Sequence, residues 1–296
     1  MIPDKTKHSI DDSKDHEHHG FFRKGIDSFF VFILNHLPGH FEEKIKKTDK
    51  GAKEIIEKAT THHAIEILYD KGGSHHSRSL KEKIFNSIWQ GTNNAKAVRN
   101  RLRVVTNEIT RELTRLKKLS DIENIRMLSI AAGSARADIQ AIKNSIPIGK
   151  ELNVTFLDKN EEANTYSREL SQGITDTSVK FNWITNTIGK YLGSTATSDK
   201  FDLIEIVGLM DYFTDEKIIE VFSKIYKKLS KNGVVITSNI IDNKESRFIT
   251  NVIKWKMLYK SPEQFAGLIE QAGFKKDKIV VKLEPLKIHT IVIAYK

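Results

Sequence analysis

The chain has 296 residues, no cysteine, 39% hydrophobic and 29% charged residues, and a formal net charge of +10. This composition fits a globular protein large enough for one domain plus a helical appendage, and it excludes disulfides, thiolate metal sites and cysteine nucleophiles. The longest apolar run, Phe29 to Leu34, is far too short to span a bilayer and has no cleavage-site chemistry beside it, so a cytoplasmic location is the default expectation.

Residues 1–20 are polar, carry His8, His16, His18 and His19 without any ligand spacing, and read as a disordered tail with no metal site. Residues 21–120 read as an N-terminal helical region. One helix is marked by Phe22, Ile26, Phe29, Phe30, Ile33 and Leu37 and ended by Pro38-Gly39. A second lies within 51–69 and a third over 80–89. The fourth, 95–118, places Val98, Leu102, Val105, Ile109, Leu113 and Leu116 on one face. Residues 93–118 hold eight Lys/Arg against two Glu. The face bearing Lys96, Arg99, Arg103, Arg111 and Lys117 is either a solvated basic face or a surface for an anionic partner, nucleic acid included.

After Ser120 strands and helices alternate, which is the pattern of a parallel sheet covered on both sides. The spacing predicts strands over 126–131, 153–158, 179–185, 201–207 and 234–238, with Lys231-Asn232-Gly233 as the turn into the last of these. Ser261-Pro262-Glu263 reads as the start of a helix that Gly273 stops. Strands 278–283 and 287–294 are joined by Glu284-Pro285-Leu286, too short for the crossover that parallel neighbours need. The expected fold is therefore α/β: a Rossmann-like, seven-stranded, mostly parallel sheet with an antiparallel last strand over 121–296.

The first strand ends in Ile130-Ala131-Ala132-Gly133-Ser134-Ala135, and a helical pattern follows at once. Small residues at such a bend let a ligand lie against the backbone and the N–H groups of the following helix. The second strand, 25 residues beyond Gly133, ends in Asp158. A carboxylate at that tip can accept hydrogen bonds from both hydroxyls of a ribose.

With these elements in this order, the chain resembles the class I S-adenosylmethionine-dependent methyltransferases over roughly residues 92–296. Leu128 to Ala135 sits where that family keeps its glycine-rich cofactor loop, Asp158 where it keeps the ribose carboxylate, and Phe201-Asp202-Leu203-Ile204 at its fourth strand. Leu229 to Val235 resembles the turn into its fifth strand, and Ser261 to Phe274 its last helix. The resemblance implies S-adenosyl-L-methionine as cofactor, held by Ser129, Ala131, Ala132, Gly133, Ser134, Asp158, Lys159, Asn186, Val207 and Gly208. The Gly208-Leu209-Met210-Asp211-Tyr212-Phe213 loop is similar to a bacterial subgroup some of whose members are linked to methyl esters of 3-hydroxy fatty acids. It implies a small or lipidic acceptor methylated on a carboxylate or hydroxyl, with Asp211 and Tyr212 as candidate catalytic residues and His289 as a further candidate base.

Three departures stand out. Ser129 replaces the usual first-strand acid and cannot pair with a cofactor ammonium as a carboxylate would. Ala131 and Ala135 replace two glycines, which is cheap at negative φ and strained at positive φ. Three competing readings follow: a nicotinamide oxidoreductase, disfavoured by the lack of Gly-x-Gly-x-x-Gly; a nucleic-acid methyltransferase using the basic helix; and a non-catalytic protein on the same fold.

Overall fold

The computed structural model describes residues 9–11, 16–18, 62–70, 90–194 and 199–296. The helices expected over 21–37 and 80–89 lie outside these residues, as does most of the one within 51–69.

One sheet organises the molecule. Its strands are β1 (Ser9–Ile10), β2 (Asn124–Ile130), β3 (Glu151–Asp158), β4 (Val179–Thr185), β5 (Phe201–Ile206), β6 (Leu229–Ile240), β7 (Ile279–Leu283) and β8 (His289–Tyr295). They lie in the order β1-β7-β8-β6-β5-β2-β3-β4. β8 runs antiparallel to both β6 and β7, while the β2, β3, β4, β5 and β6 pairings are parallel. The mostly parallel sheet with an antiparallel last strand is thus present. The difference is an eighth strand: Ser9–Ile10, within the expected tail, pairs with Lys282 and Leu283.

The helices are α1 (His62–Tyr69), α2 (Asn93–Lys117), α3 (Arg136–Ser145), α4 (Glu161–Ser171), α5 (Ile188–Gly193), α6 (Asp215–Lys228), α7 (Ser246–Asn251) and α8 (Pro262–Gln271). They cover both faces. On one, Val104, Ile109 and Leu113 of α2 pack with Ile139 and Ile142 of α3 against Met127, Val154 and Ile236. On the other, Phe222 of α6 and Phe265 of α8 pack against Leu128, Ile204 and Val235. All six residues of β5 are buried, as a central parallel strand requires.

Chain-end chemistry sets the helix boundaries. Thr92 caps α2 by accepting from the amide of Ala95, and Ser261 caps α8 with Pro262 in its first turn. The expected turn at Lys231-Asn232-Gly233 is instead the irregular start of β6, where the pairing with β5 shifts register. A Cβ on Gly233 would lie 2.9 Å from the carbonyl oxygen of Phe201, so only glycine lets the two backbones approach.

β2 is flanked by β3 on one side and β5 on the other, so successive crossovers leave it in opposite directions. This switch point opens a crevice beyond the carboxyl ends of the strands, and a cavity lies there.

Candidate cofactor and active site

The bend after β2 is built from backbone in the left-handed region: φ is 54° at Ala131, 54° at Gly133 and 51° at Ala135. Glycine adopts this without cost, whereas alanine loses about 1 kcal/mol at each such position. The two alanines are therefore on the strained side of the sequence alternative. Hydrogen bonds hold the bend: the Ala132 amide donates to the Leu157 carbonyl (3.2 Å) and the Ala135 amide to the Ala132 carbonyl (2.7 Å).

Asp158 faces this bend. Its Oδ2 accepts from the Gly133 amide at 2.9 Å and its Oδ1 from the Asn160 amide at 2.9 Å. Its carbonyl accepts from the Asn186 amide at 2.9 Å, which brings the end of β4 alongside. The half-buried carboxylate thus has fixed orientation and a face left toward the crevice.

Between these elements lies a cavity of about 610 Å³. Of the residues expected around a cofactor, Ala131, Ala132, Gly133, Ser134, Asp158, Lys159, Asn186, Val207 and Gly208 line it. Ser129 sits behind the wall, fully buried. Its hydroxyl lies 2.9 Å from Asp138 Oδ2 and 2.7 Å from Glu205 Oε2. Asp138 and Glu205 both reach the cavity from either side of it.

One hydroxyl proton cannot serve two carboxylates. Both contacts are attractive only if one carboxyl keeps a proton and donates to Ser129. Burial pushes the Asp138 carboxyl up to about 7, against the pull of the Ser129 hydroxyl. Burial and the neighbouring Asp138 raise Glu205 well above the usual range.

The two expected catalytic residues lie at the inner end. Asp211 lines the cavity but is heavily engaged: its Oδ1 accepts from the Ile240 amide (2.7 Å) and from Asn239 Nδ2 (3.0 Å). Burial raises its carboxyl. The Tyr212 hydroxyl accepts from Trp255 Nε1 at 2.6 Å, and burial pushes it up to about 12. Arg101 approaches Asp211 Oδ2 at 3.9 Å, and His289 also lines this end.

Sequence reasoning placed α1 inside the helix expected within 51–69 but did not place it at the site. Ile65, Leu68 and Tyr69 roof the cavity, and polar ties fasten the helix to the body. Glu66 pairs with Arg136 at the start of α3 and accepts from the Tyr166 hydroxyl at 3.1 Å. His63 Nε2 meets Glu162 of α4 at 2.9 Å. Asp138, Glu205 and Arg101 were also missed. A glutamate between Ile204 and Ile206 of β5 was the available signal.

The basic residues of α2 are largely committed within the molecule. Arg99 donates to Glu17, Gln90 and the Leu68 carbonyl. Arg111 and Arg115 pair with Glu112, and Lys117 donates to the carbonyls of Ser145 and Pro147. Among the described residues no group of His, Asp or Glu side chains has the arrangement to hold a metal ion, and no helix is long and apolar enough to cross a membrane.

No family model matches the chain, and neither does any curated protein sequence. Many solved structures do. A possible exported protein from Bordetella parapertussis is 15% identical with a TM-score of 0.67, covering 91% of this chain and 96% of that one. The methyltransferase domain of the citrinin polyketide synthase is 12% identical at TM-score 0.52, covering 82% of this chain and 68% of that one. Magnesium protoporphyrin IX methyltransferase from Synechocystis, with bound S-adenosylhomocysteine, is 10% identical at TM-score 0.50, covering 78% of this chain and 97% of that one. Strand order, the antiparallel β8 and these likenesses agree: the chain has the fold of the class I S-adenosylmethionine-dependent methyltransferases.

Proposed function

We propose that the protein binds S-adenosyl-L-methionine in this cavity and transfers its methyl group to a small or lipidic acceptor. The observation that carries the reading is the contact of Asp158 with the Gly133 amide at the mouth of an open cavity beside the switch point. The carboxylate is oriented for two ribose hydroxyls, and Asn186 stands where an adenine edge would lie. The backbone of Ala131–Ser134 would run along the amino-acid arm.

The charge of the cavity supports a cationic ligand. Asp138, Glu205, Asp158 and Asp211 line the cavity together with the cations Arg101, Lys159 and Arg136, the last already paired with Glu66. Asp138 Oδ1 is buried with no hydrogen-bond partner, and a buried carboxylate oxygen of that kind is relieved by a positive group. The Asp138–Glu205 pair, sharing one proton, thus supplies the single negative charge that Ser129 lacks. When bound, the cofactor would contribute a methyl group activated by a sulfonium. The chain's own part is orientation and exclusion of water by the α1 roof.

A nicotinamide cofactor fits less well, since its pyrophosphate would meet Asp158 and the Asp138–Glu205 pair at a bend with a single glycine. A nucleic-acid acceptor is weakly supported because most of the basic groups of α2 already have intramolecular partners. Calorimetric titration with S-adenosylhomocysteine and NADH tests all of this. Binding of the first and not the second is expected. Asp158→Ala should lower the affinity about 100-fold, the loss of two hydrogen bonds to a charged acceptor. Heat from NADH alone would overturn the reading, and S-adenosylhomocysteine binding without turnover on any acceptor would mark a non-catalytic binder.

A further inference from the structure

The inner end of the cavity holds polar atoms that the cofactor reading does not use. His289, the first residue of β8, is 2% exposed, and neither Nδ1 nor Nε2 has a hydrogen-bond partner. It pairs across the sheet with Ile240, and both residues line the cavity. Arg101, on α2, is 5% exposed with an unpartnered Nε. A Cβ placed on Gly208 would lie 3.7 Å from its Nη2, so the guanidinium sits against the loop that ends β5. Buried polar groups are normally satisfied, and leaving several idle in one place is costly. A ligand that satisfies them together removes that cost.

We infer that Arg101 and His289 form a subsite for an ionisable hydroxyl of the acceptor, a phenol or enol, with His289 taking its proton and Arg101 facing the oxygen. The assignment rests on the methyl-transfer reading of the same cavity. The local charges select this class. Asp211 from the turn after β5 stands 3.9 Å from Arg101 and largely offsets it, and Tyr69 of α1 hydrogen-bonds to the same guanidinium. An incoming anion would therefore gain little. A neutral hydroxyl can enter and ionise in place, leaving imidazolium and oxyanion side by side. Burial and Arg101 hold His289 neutral, so its lone pair is available, but as a weak base that only an acidic hydroxyl would satisfy. Apolar walls from Leu102, Ile253, Trp255 and Met257 suit an aromatic or conjugated body.

The step balances. The hydroxyl proton passes to a ring nitrogen of His289. The acceptor oxygen forms a bond to the methyl carbon as the carbon–sulfur bond breaks, and that pair returns to sulfur. The positive charge moves from sulfonium to imidazolium, which then loses its proton to water.

The test uses 4-nitrophenol, whose yellow phenolate reports its ionisation, with the full-length chain saturated with S-adenosylhomocysteine. The bound probe should show an acid dissociation constant at least tenfold greater than the free probe. Arg101→Met should abolish that shift. In ¹⁵N spectra, the imidazole signal that vanishes in His289→Gln should move to the imidazolium position when the probe binds, a change no structural role would produce. Thermal melts confirm that both variants fold. A probe that fails to bind, or binds without ionising, overturns the proposal. So does benzoate displacing it at lower concentration, which would assign the subsite to carboxylates. Ionisation of the probe with no S-adenosylhomocysteine binding would overturn the cofactor reading alone; the reverse pattern would overturn only the subsite.

Discussion

The two ends of the cavity are built on opposite principles. At the bend between β2 and α3, most polar groups already have partners: Asp158 is bound by two amides, and Ser129 bridges Asp138 and Glu205. At the inner end, both ring nitrogens of His289 and Nε of Arg101 are idle. The first end is preorganised by backbone and by a shared proton; the second is left to be completed by what enters. A chain that ties most of one end to its backbone and leaves His289 and Arg101 idle at the other keeps a fixed site for one ligand and a separate site for its partner.

The largest test of this contrast concerns the shared proton. Because burial raises Asp138 to about 7, the native state binds a proton that the unfolded chain releases above about pH 4. The stability this contributes is complete below the unfolded value and lost as pH rises through the folded one. Asp138→Asn should therefore gain on the parent protein by up to about 4 kcal/mol between pH 4 and pH 8 in urea denaturation. A constant difference across that range would mean that Asp138 is not the group that carries the proton.

A smaller effect asks whether the α1 roof belongs with the preorganised end. Glu66→Gln removes the ion pair with Arg136, which is 30% exposed and so partly screened. The expected loss is about 1 kcal/mol, with faster hydrogen exchange confined to 62–70. Exchange that stays unchanged there would show that apolar packing alone holds the roof. The smallest effect lies in the bend itself. Ala131→Gly should raise stability by about 0.5 kcal/mol, relief of positive φ partly offset by a freer unfolded chain. A loss instead would mean that the alanine methyl makes contacts worth more than the strain.

The sheet and the bend were legible in the sequence because each is written locally. Apolar runs of strand length, Gly133 and the carboxylate at residue 158 need no knowledge of distant residues. The environment of Ser129 was not legible, since its two partners come from α3 and β5, 9 and 76 positions away. The same holds for Asp211 and Tyr212, whose side chains are bound by Asn239 and Trp255, 28 and 43 residues on. Ala131 and Ala135 were recognisable as departures, but only backbone angles could say on which side of zero φ would fall. The roof carries no local mark at all: Leu68 and Tyr69 look like any apolar helix face until Arg136 and Tyr166 are seen to anchor it.

The strand at Ser9–Ile10 has a practical consequence. It covers the end of β7 at Lys282 and Leu283, whose backbone would otherwise face solvent as a ready template for a second chain. Trimming the polar leader, a routine step in preparing a protein for crystallisation, would bare Lys282 and Leu283, close to Val280, which is already 39% exposed. A shortened version should precipitate or pair edge to edge sooner than the intact one.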